Sequence, residues 1–350
     1  MIPTGYSLTR QDLEEIAEAV VPLGPALQGA SLLVTGGTGF FGMWLVEGLL
    51  WADAALGLKL RVTALSRDVG RFLGGRGRHL VGHPRLDVIE GDIAAFDPGP
   101  RRFTHIIHAA TEGYAGHSAS RHLDAAVDGT RHVIALAAAH RTAAVLLTSS
   151  GAVYRPLDPP SEPSREAPRG TSDYTEYRHF YAEAKRMMET MLAAGAERHG
   201  FRGAIARCFA FTGAWLPLDG GLAMGNFVRD ALRGRTVAVG GDGTALRSYL
   251  YGTDLVVWLL TVLLKGESCR PYNVGGADPV SIADLARLVA AEAGRPGDVA
   301  IARAPMPGTA PDTYLPDLSR TTGELGVKVS VELQEAVRRT LAWHHGRGAG

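Results

Sequence analysis

The sequence has no excess of charge of either sign. Its 350 residues carry 36 Lys and Arg against 36 Asp and Glu, and the sequence pI is about 7.2. Proteins that hold nucleic acid or an anionic membrane usually show a basic excess, because Lys and Arg neutralise the phosphate groups. We therefore expect neither nucleic acid nor a membrane among the partners.

Cysteine is scarce, and long apolar runs are absent. The two cysteines, Cys208 and Cys269, cannot build a disulfide framework, and they lack the spacing of zinc ligands. The longest apolar run, residues 255–264, is too short to span a bilayer. The N-terminus lacks the basic start and apolar centre of a signal peptide. We expect a cytoplasmic protein without a bound metal.

The sequence does contain the composition and the element order of a folded α/β protein. Its hydrophobic fraction of 46% and charged fraction of 21% are typical of globular proteins. Short apolar runs alternate with helical patterns from residue 31 to about 211, which predicts a doubly wound parallel sheet. We expect the last strand of this region to cover residues 203–211. After residue 213 the pattern loosens, which indicates a smaller, partly discontinuous C-terminal lobe.

These patterns divide the chain into three predicted parts. Residues 1–29 form an N-terminal helical extension, in which Thr9 is the expected N-cap of an amphipathic helix. Residues 30–212 form the parallel-sheet domain. Residues 213–350 form mainly the second lobe, with some segments that return to the first domain.

A glycine-rich loop joins the first predicted strand to the helix that follows. In its sequence, TGGTGFFG, the residues Gly36, Gly39 and Gly42 are spaced as GxxGxxG. In a dinucleotide site Gly36 makes the tight turn, Gly39 lets the backbone approach a pyrophosphate, and Gly42 lets the helix pack closely. The helix N-terminus then offers N–H groups and a positive dipole end to the phosphates. The loop predicts a Rossmann domain that binds NAD or NADP.

The end of the second predicted strand bears on the choice of dinucleotide. An acidic residue there would accept the ribose 2′-hydroxyl of NAD. The sequence has Ser66 and Arg67 instead. Arg67 could pair with the 2′-phosphate of NADP, stack on adenine or face solvent. Asp92, at the end of the third strand, is expected beside the adenine.

Three polar residues follow at positions suited to proton transfer. Ser150 ends a predicted strand, and Tyr181 and Lys185 lie four residues apart on one face of a predicted helix. A lysine ammonium beside a tyrosine should lower the pKa of the phenol from about 10 toward the working pH. Such a tyrosine could take a proton from a sugar hydroxyl while Ser150 hydrogen-bonds the reacting oxygen.

Together these motifs resemble the extended short-chain dehydrogenase/reductase family, in particular its nucleoside-diphosphate-sugar epimerases and dehydratases. The resemblance covers residues 30–344 or so. It implies that Ser150, Tyr181 and Lys185 are the catalytic trio and that the substrate is a nucleotide sugar carrying UDP or dTDP. It also implies a homodimer. The matching segments are the glycine loop, HAA (108–110), TSSGAVY (148–154), YAEAK (181–185) and RSYLY (247–251).

The resemblance also assigns ligand contacts to individual positions. Ser150 would contact the sugar, while Asn226 and Arg247 would contact its diphosphate. Ala210 departs from the family, because many members have Asn there. The residues implied as contacts of the dinucleotide are Gly36, Gly39, Phe40, Phe41, Gly42, Ser66, Arg67, Asp92, Ile93, Ala109, Ala110, Tyr181 and Lys185.

The two positions after Ser150 bear on the reaction. In the family, 4,6-dehydratases have Asp-Glu there, and UDP-glucuronate decarboxylases keep Glu at the second position. This chain has Gly151 and Ala152, which cannot act as the acid or base that elimination of water needs. We therefore favour a 4-epimerase, whose redox-neutral cycle favours retained NAD slightly over NADP. The alternatives are a 4-ketoreductase, a dehydratase, a decarboxylase and a non-catalytic dinucleotide-binding sensor.

Several other polar residues are open to more than one interpretation. Glu112, Tyr114 and His117 follow the HAA segment and could supply an acid or base from another direction. We prefer to interpret them as part of a polar loop that covers the substrate. His105 and His108 are expected to be structural, because they flank an apolar strand.

Overall fold

The structure is a computed structural model that describes residues 4–110, 119–154, 162–166, 179–219 and 221–347. The helices of these residues are α1 (Arg10–Val20), α2 (Gly24–Leu27), α3 (Phe40–Leu56), α4 (Val69–Gly74), α5 (Ala119–His140), α6 (Phe180–His199), α7 (Ala223–Leu232), α8 (Gly252–Lys265), α9 (Ile282–Glu292), α10 (Ser319–Leu325) and α11 (Leu333–His345). Short 3-10 helices cover Val21–Leu23, Arg78–Leu80 and Gly151–Tyr154.

The strands fall into one large sheet and several small ones. They are β1 (Ser31–Thr35), β2 (Arg61–Ser66), β3 (Leu86–Glu90), β4 (His105–His108), β5 (Ala144–Ser150), β6 (Arg202–Cys208), β7 (Ala210–Thr212), β8 (Val237–Val239), β9 (Leu246–Arg247), β10 (Tyr249–Tyr251), β11 (Pro271–Val274), β12 (Val280–Ser281), β13 (Val299–Ile301) and β14 (Thr313–Tyr314).

The large sheet has seven parallel strands, in the order β11-β6-β5-β4-β1-β2-β3. The chain builds outward from β1 to β3 and then crosses back to place β4 on the other side of β1. Such a reversal of direction opens a crevice at the carboxyl ends of the two central strands. The prediction of a doubly wound parallel sheet is confirmed.

Helices cover both faces of this sheet, as the burial of its strands requires. One face packs against α1, α3 and α8, with Trp44 and Trp258 among the side chains that are fully buried there. The other face packs against α5 and α6 around Val145, Leu147 and Met188. Because both faces are covered, successive residues of β4 and β5 are all buried, whether apolar or polar, rather than buried and exposed in alternation.

The N-terminal helix α1 forms as its sequence predicts. Thr9 is the N-cap, and its hydroxyl accepts the backbone N–H of Asp12 at 3.1 Å. The predicted apolar face is buried, with Leu13, Ile16 and Val20 at 0% exposure. A capped amphipathic helix thus docks on α3 and α8.

A second lobe has its own apolar core, which includes Phe227, Val289 and Leu341. It is built from α7, α9 and α11 with the small sheets β8-β13 and β12-β9-β14. Strand β11 comes after most of this lobe in the chain but pairs with β6 in the large sheet. The domain boundaries at residues 29 and 212 stay a prediction.

The expectation of one strand over residues 203–211 is wrong. Strand β6 ends at Cys208, and Ala210–Thr212 form a separate strand, β7, that pairs with β10. The chain changes partner at Phe209, whose ring packs among Tyr154, Gly151 and Tyr314. The packing of one aromatic side chain therefore marks the break in a run that is apolar except for Arg207.

No helix within the described ranges is long and apolar enough to cross a membrane.

A buried carboxylate anchors the segment that precedes α1. Glu47 on α3 is 0% exposed and accepts the backbone N–H groups of Ser7 at 2.6 Å and Leu8 at 3.0 Å. His79 Nε2 lies 3.1 Å from the same carboxylate. The N-terminal segment is thus joined to α3 by hydrogen bonds that are buried away from water.

We expect Glu47→Ala to lower the free energy of unfolding by about 2–4 kcal/mol, because each buried donor left without an acceptor costs about 1–3 kcal/mol. Urea denaturation measures the change. Glu14→Ala is the control, since its side chain is 49% exposed and its pair with Arg10 is worth less than about 1 kcal/mol. Equal stability of the two variants would contradict this role of Glu47.

Candidate active site

The glycine loop lies between β1 and α3, where it contacts the end of β4. Gly36 has φ +71°, and a Cβ there would lie 2.7 Å from the carbonyl oxygen of Ala109. A Cβ on Gly42 would lie 2.2 Å from the carbonyl oxygen of Gly36. Gly39 is the N-cap of α3. The tight turn predicted for Gly36 and the close packing predicted for Gly42 are confirmed.

A cavity of about 1140 Å³ opens at the crevice between β1 and β4. The glycine loop lines one end, which we call the dinucleotide end, and the carboxyl ends of β5 and β6 line the other, the substrate end. Of the thirteen residues predicted to contact a dinucleotide, all except Ser66 line this cavity. The structure therefore brings the predicted cofactor residues to one surface.

The side chain of Ser66 stabilises the turn that contains Arg67 instead of lining the cavity. Its hydroxyl is buried and donates to the carbonyl oxygen of Asp68 at 2.9 Å. Arg67 lines the dinucleotide end, together with Leu65 and Gly91. The loop residue Thr38 also lines it, and the analysis of glycine positions missed this residue.

The trio predicted to be catalytic meets at the boundary between the two ends. Lys185 is 2% exposed, and its ammonium donates to the carbonyl oxygen of Thr148 at 2.8 Å. The same nitrogen lies 5.8 Å from the centre of the Tyr181 ring. The hydroxyl of Ser150 hydrogen-bonds the Tyr181 side chain and accepts the N–H of Ala152 at 3.1 Å.

The predicted direction for the pKa of Tyr181 is wrong for the protein alone. Burial raises the pKa of this phenol, and the hydrogen bond from Ser150 opposes that rise. Burial also lowers the pKa of Lys185 to about 8, while Cys208 and Glu189 act in the opposite direction. Both groups are so deeply buried that the loss of water around their charged forms decides the direction of each pKa shift. An anionic Tyr181 therefore needs further positive charge in the site.

The two adjacent serines at the end of β5 have different partners. The hydroxyl of Ser149 donates to the carboxylate of Glu189 on α6. The hydroxyl of Ser150 lies 3.4 Å from the hydroxyl of Tyr314 and bonds Tyr181. Ser150 is thus the serine that faces Tyr181.

Tyr314 is a site residue that sequence analysis missed. It comes from β14, whose register places it opposite Arg247 on β9. The Arg247 guanidinium lies 5.7 Å from the centre of the Tyr314 ring and pairs with Asp312 at 2.8 Å. No local pattern marks Tyr314, because its position depends on the pairing of two short strands far apart in the chain.

Asn226 does not line the cavity. It lies within α7, and its amide oxygen accepts a hydrogen bond from Arg229 at 3.0 Å. The preceding residues Leu222, Ala223 and Met224 line the substrate end instead. The prediction that Asn226 holds a diphosphate receives no support from this geometry, because its side chain is engaged within its own helix.

Phe209 occupies the space above Gly151. A Cβ on Gly151 would lie 2.7 Å from the Phe209 ring, and the ring centre lies 4.8 Å from that of Tyr314. Among the described residues that line the cavity, the only carboxylate is Asp92, at the dinucleotide end. The described part of the substrate end therefore carries serine, tyrosine and apolar side chains but no acidic group.

The histidines of β4 are structural, as expected. His108 Nδ1 lies 3.0 Å from the Thr35 hydroxyl, and Nε2 lies 3.2 Å from the Thr130 hydroxyl. Burial lowers the pKa of His108 to about 3, so it is neutral at physiological pH. His105 Nδ1 contacts the Thr104 hydroxyl at 2.9 Å.

The remaining candidate groups are Cys208, three residues of the loop after β4, and any cluster of metal ligands. Burial raises the pKa of Cys208 to about 12, so its thiol is protonated. Glu112, Tyr114 and His117 lie outside the described residues. Within the part of the chain that the structure describes, no group of three or more His, Cys, Asp or Glu side chains could hold a metal ion.

Comparison with known proteins identifies related sequences and folds. The model of the NAD dependent epimerase/dehydratase family matches residues 32–275. UDP-glucuronic acid decarboxylase 6 of Arabidopsis thaliana is 30% identical over 311 residues, which cover 87% of this chain and 86% of that protein.

Two solved structures extend the comparison. A dTDP-glucose 4,6-dehydratase of Streptomyces venezuelae, a double mutant with NAD bound, is 26% identical with a TM-score of 0.73, covering 89% of this chain and 96% of that one. An epimerase from Methanothermobacter thermautotrophicus is similar in fold, with a TM-score of 0.77 at 19% identity over 97% of this chain and 96% of that one.

We expect Gly42→Ala to weaken NAD binding by about tenfold to hundredfold, because overpacking against the loop backbone costs about 1–3 kcal/mol. Calorimetric titration measures the affinity. Gly323→Ala on α10 is the matched control, since a Cβ there meets nothing within 4 Å. If Gly42→Ala bound NAD as tightly as the control, the loop would not be the pyrophosphate site.

Proposed function

Because the chain belongs to the NAD-dependent epimerase/dehydratase family, we propose that it catalyses the 4-epimerisation of a nucleoside-diphosphate hexose carrying UDP or dTDP. The cofactor is NAD. In this proposal Ser150, Tyr181 and Lys185 are the catalytic residues, and Arg247 anchors the diphosphate. Two observations support the proposal. The chain belongs to a family of NAD-dependent enzymes, and the described residues that line the substrate end include no acidic group.

The residues at the dinucleotide end fit the cofactor. The glycine loop can turn against Ala109 because Gly36 lacks a Cβ, and α3 can start close to the loop because Gly42 lacks one. The first N–H groups of α3 would then face the pyrophosphate. Arg67, Asp92 and Ile93 would surround the adenosine part. When bound, the dinucleotide would supply the hydride acceptor and donor, and its oxidised ring would add positive charge near Tyr181.

The catalytic residues would move one proton and hold one oxygen. Tyr181, as the phenolate, takes the proton of the C4 hydroxyl when C4 is oxidised and returns it when C4 is reduced. Ser150 donates a hydrogen bond to the C4 oxygen throughout. Lys185 keeps positive charge beside the phenolate. The 4-keto sugar turns between the two half-reactions, so that reduction occurs on the opposite face.

A single observation favours epimerisation over elimination. The space beside Gly151 is filled by the Phe209 ring, and Ala152 offers only a methyl group. Removal of water across C5 and C6 requires an acid or base next to these carbons. Epimerisation requires only that the keto sugar can turn, and the apolar walls formed by Phe209, Phe211 and Met224 would hold it by few hydrogen bonds.

A UDP-uronate is the second candidate substrate, because a relative at 30% identity is a UDP-glucuronic acid decarboxylase. A uronate would bring a carboxylate that needs a cation. The cations among the described lining residues are Arg67, Lys185 and Arg247. Arg67 lies at the dinucleotide end, Lys185 donates to the carbonyl oxygen of Thr148, and Arg247 is assigned to the diphosphate in this proposal. The described lining thus favours an uncharged hexose.

We also propose that the protein works as a cytoplasmic homodimer. Its two cysteines are free thiols, which suits a reducing compartment. Helices α5 and α6 pack together and expose Leu123 at 37% and Met187 at 50%. Exposed apolar side chains on neighbouring helices favour a contact between two copies.

Incubation of the pure protein with UDP- and dTDP-hexoses tests the reaction, with NMR to identify the products. We expect the C4 epimer, with NAD added only in catalytic amounts. A 4-keto-6-deoxy product would show a dehydratase, and CO₂ released from UDP-glucuronate would show a decarboxylase. A reduced product that consumes NADPH would show a ketoreductase, and bound cofactor without turnover would point to a sensor.

We expect Tyr181→Phe to lower kcat by roughly a thousandfold, because it removes the proton acceptor. Affinity for NAD should change little, since the ring remains. Tyr6→Phe is the control, because Tyr6 lies in the N-terminal segment beside Trp51. Retained turnover in Tyr181→Phe would refute the catalytic assignment.

A further inference from the structure

A third residue shares the face of α6 that carries Tyr181 and Lys185. Glu189 follows Lys185 by one helical turn, and its side chain is 12% exposed. Its carboxylate accepts two hydrogen bonds from Arg207, from Nε at 2.9 Å and from Nη2 at 2.6 Å. It also accepts a hydrogen bond from the hydroxyl of Ser149. A bidentate ion pair of this kind fixes the relative orientation of the two side chains as well as the distance between them.

Arg207 extends this pair to other strands of the large sheet. It lies on β6, and its Nη1 donates to the Tyr154 hydroxyl at 2.9 Å. That hydroxyl in turn donates to the side-chain oxygen of Asn273 on β11 at 2.8 Å. Through Ser149 the pair also reaches the end of β5, directly before Ser150. Helix α6 is therefore tied to β5, β6 and β11 at the edge of the sheet where the catalytic trio lies.

Stability alone gives little reason for such a network. A buried ion pair costs much of its attraction in lost hydration, and apolar side chains of similar size often stabilise a core equally well. Neither Glu189 nor Arg207 lines the cavity, so neither can contact a substrate directly in this geometry. The network instead fixes the position of α6 relative to the end of β5.

We propose that Glu189 is a positioning residue for the reaction proposed above: its pair with Arg207 and its bond to Ser149 set Tyr181 against Ser150, and its charge favours the ammonium form of Lys185. The inference rests on the proposed function for its kinetic part. The effect on Lys185 is independent of which substrate is used.

The charge effect follows from what surrounds the Lys185 ammonium. The ionisable groups that face it are Tyr181 and Glu189 on its own helix, Cys208 on β6 and His108 on β4. Burial keeps Tyr181, Cys208 and His108 neutral near pH 7. Burial also lowers the pKa of Lys185 to about 8, and the Glu189 carboxylate opposes that change. Without this carboxylate, Lys185 would lose its proton at lower pH.

The scarcity of lysine makes this effect directly measurable. The chain has four lysines, Lys59, Lys185, Lys265 and Lys328. With lysine labelled at 13Cε, the NMR spectrum should show four signals, and Lys185→Arg identifies the one from Lys185. We expect Glu189→Gln to move the titration midpoint of that signal to lower pH and to leave the others unchanged. An unchanged midpoint would overturn the charge effect.

Kinetics test the positioning effect. We expect Glu189→Gln to lower kcat by about tenfold or more while the KM of the sugar nucleotide stays within about twofold, because misplaced catalytic groups act on the transition state. The ratio of kcat/KM at pH 9 to that at pH 7 should fall by at least about threefold, as the ammonium is lost earlier. Glu197→Gln, at an exposed position of the same helix, is the matched control.

Two further variants keep the test decisive if Glu189→Gln does not fold. Glu189→Asp keeps the charge but shortens the side chain, so it should lower kcat and leave the Lys185 midpoint in place. Ser149→Ala removes the bond to the carboxylate, together with one hydroxyl of the cavity lining, and should likewise lower kcat at constant KM. Parent values of kcat in both would overturn the positioning role. If the parent enzyme turns over no nucleotide sugar, the proposed function fails, and the Lys185 titration still tests the charge effect.

Discussion

The reversal of strand order between β1 and β4 is the constraint on which the rest of the site depends. Parallel strands that build outward in both directions from a central pair leave a crevice at their carboxyl ends, since no crossover helix covers that point. The glycine loop enters this crevice because Gly36 turns with positive φ, and α3 can start beside it because Gly42 has no side chain. The cavity, the N-terminus of α3 and the residues proposed to be catalytic then share one edge of the sheet.

Burial is the second constraint, and it acts on charge. Lys185 is almost wholly enclosed, which lowers its pKa, and Tyr181 is enclosed enough that its pKa rises. Burial therefore keeps Tyr181 protonated near pH 7 and makes the ammonium proton of Lys185 easier to lose. We interpret the network of Glu189, Arg207 and Ser149 as the feature that holds these two buried residues in position and favours the charged form of Lys185. Chemistry in this site would depend on groups that never touch the substrate.

Much of the fold and part of the site could be predicted from the sequence, because their signals are local. The glycine spacing and the four-residue interval between Tyr181 and Lys185 are fixed by short-range geometry, and both motifs line one cavity. Tyr314 and Phe209 could not be found this way. Each reaches the site through strand pairing or ring packing between segments far apart in the chain.

One prediction is wrong and another gains no support from the geometry, and in both cases a contact outside the sequence motif is the reason. Asn226 was assigned from a motif, but its side chain bonds Arg229 in the next turn of α7. The pKa of Tyr181 was judged from one neighbour, whereas the loss of water around both groups decides its direction.

The central claim is that hydride leaves and returns to the same carbon of an otherwise unchanged hexose. The most direct measurement uses a nucleotide hexose with deuterium at C4, incubated with the protein in ordinary water and analysed by NMR. The account predicts a product with inverted C4 that keeps its deuterium there and carries none at C6. Transfer of the label to C6, loss of the label from C4, or a product that lacks the C6 carbon would contradict it.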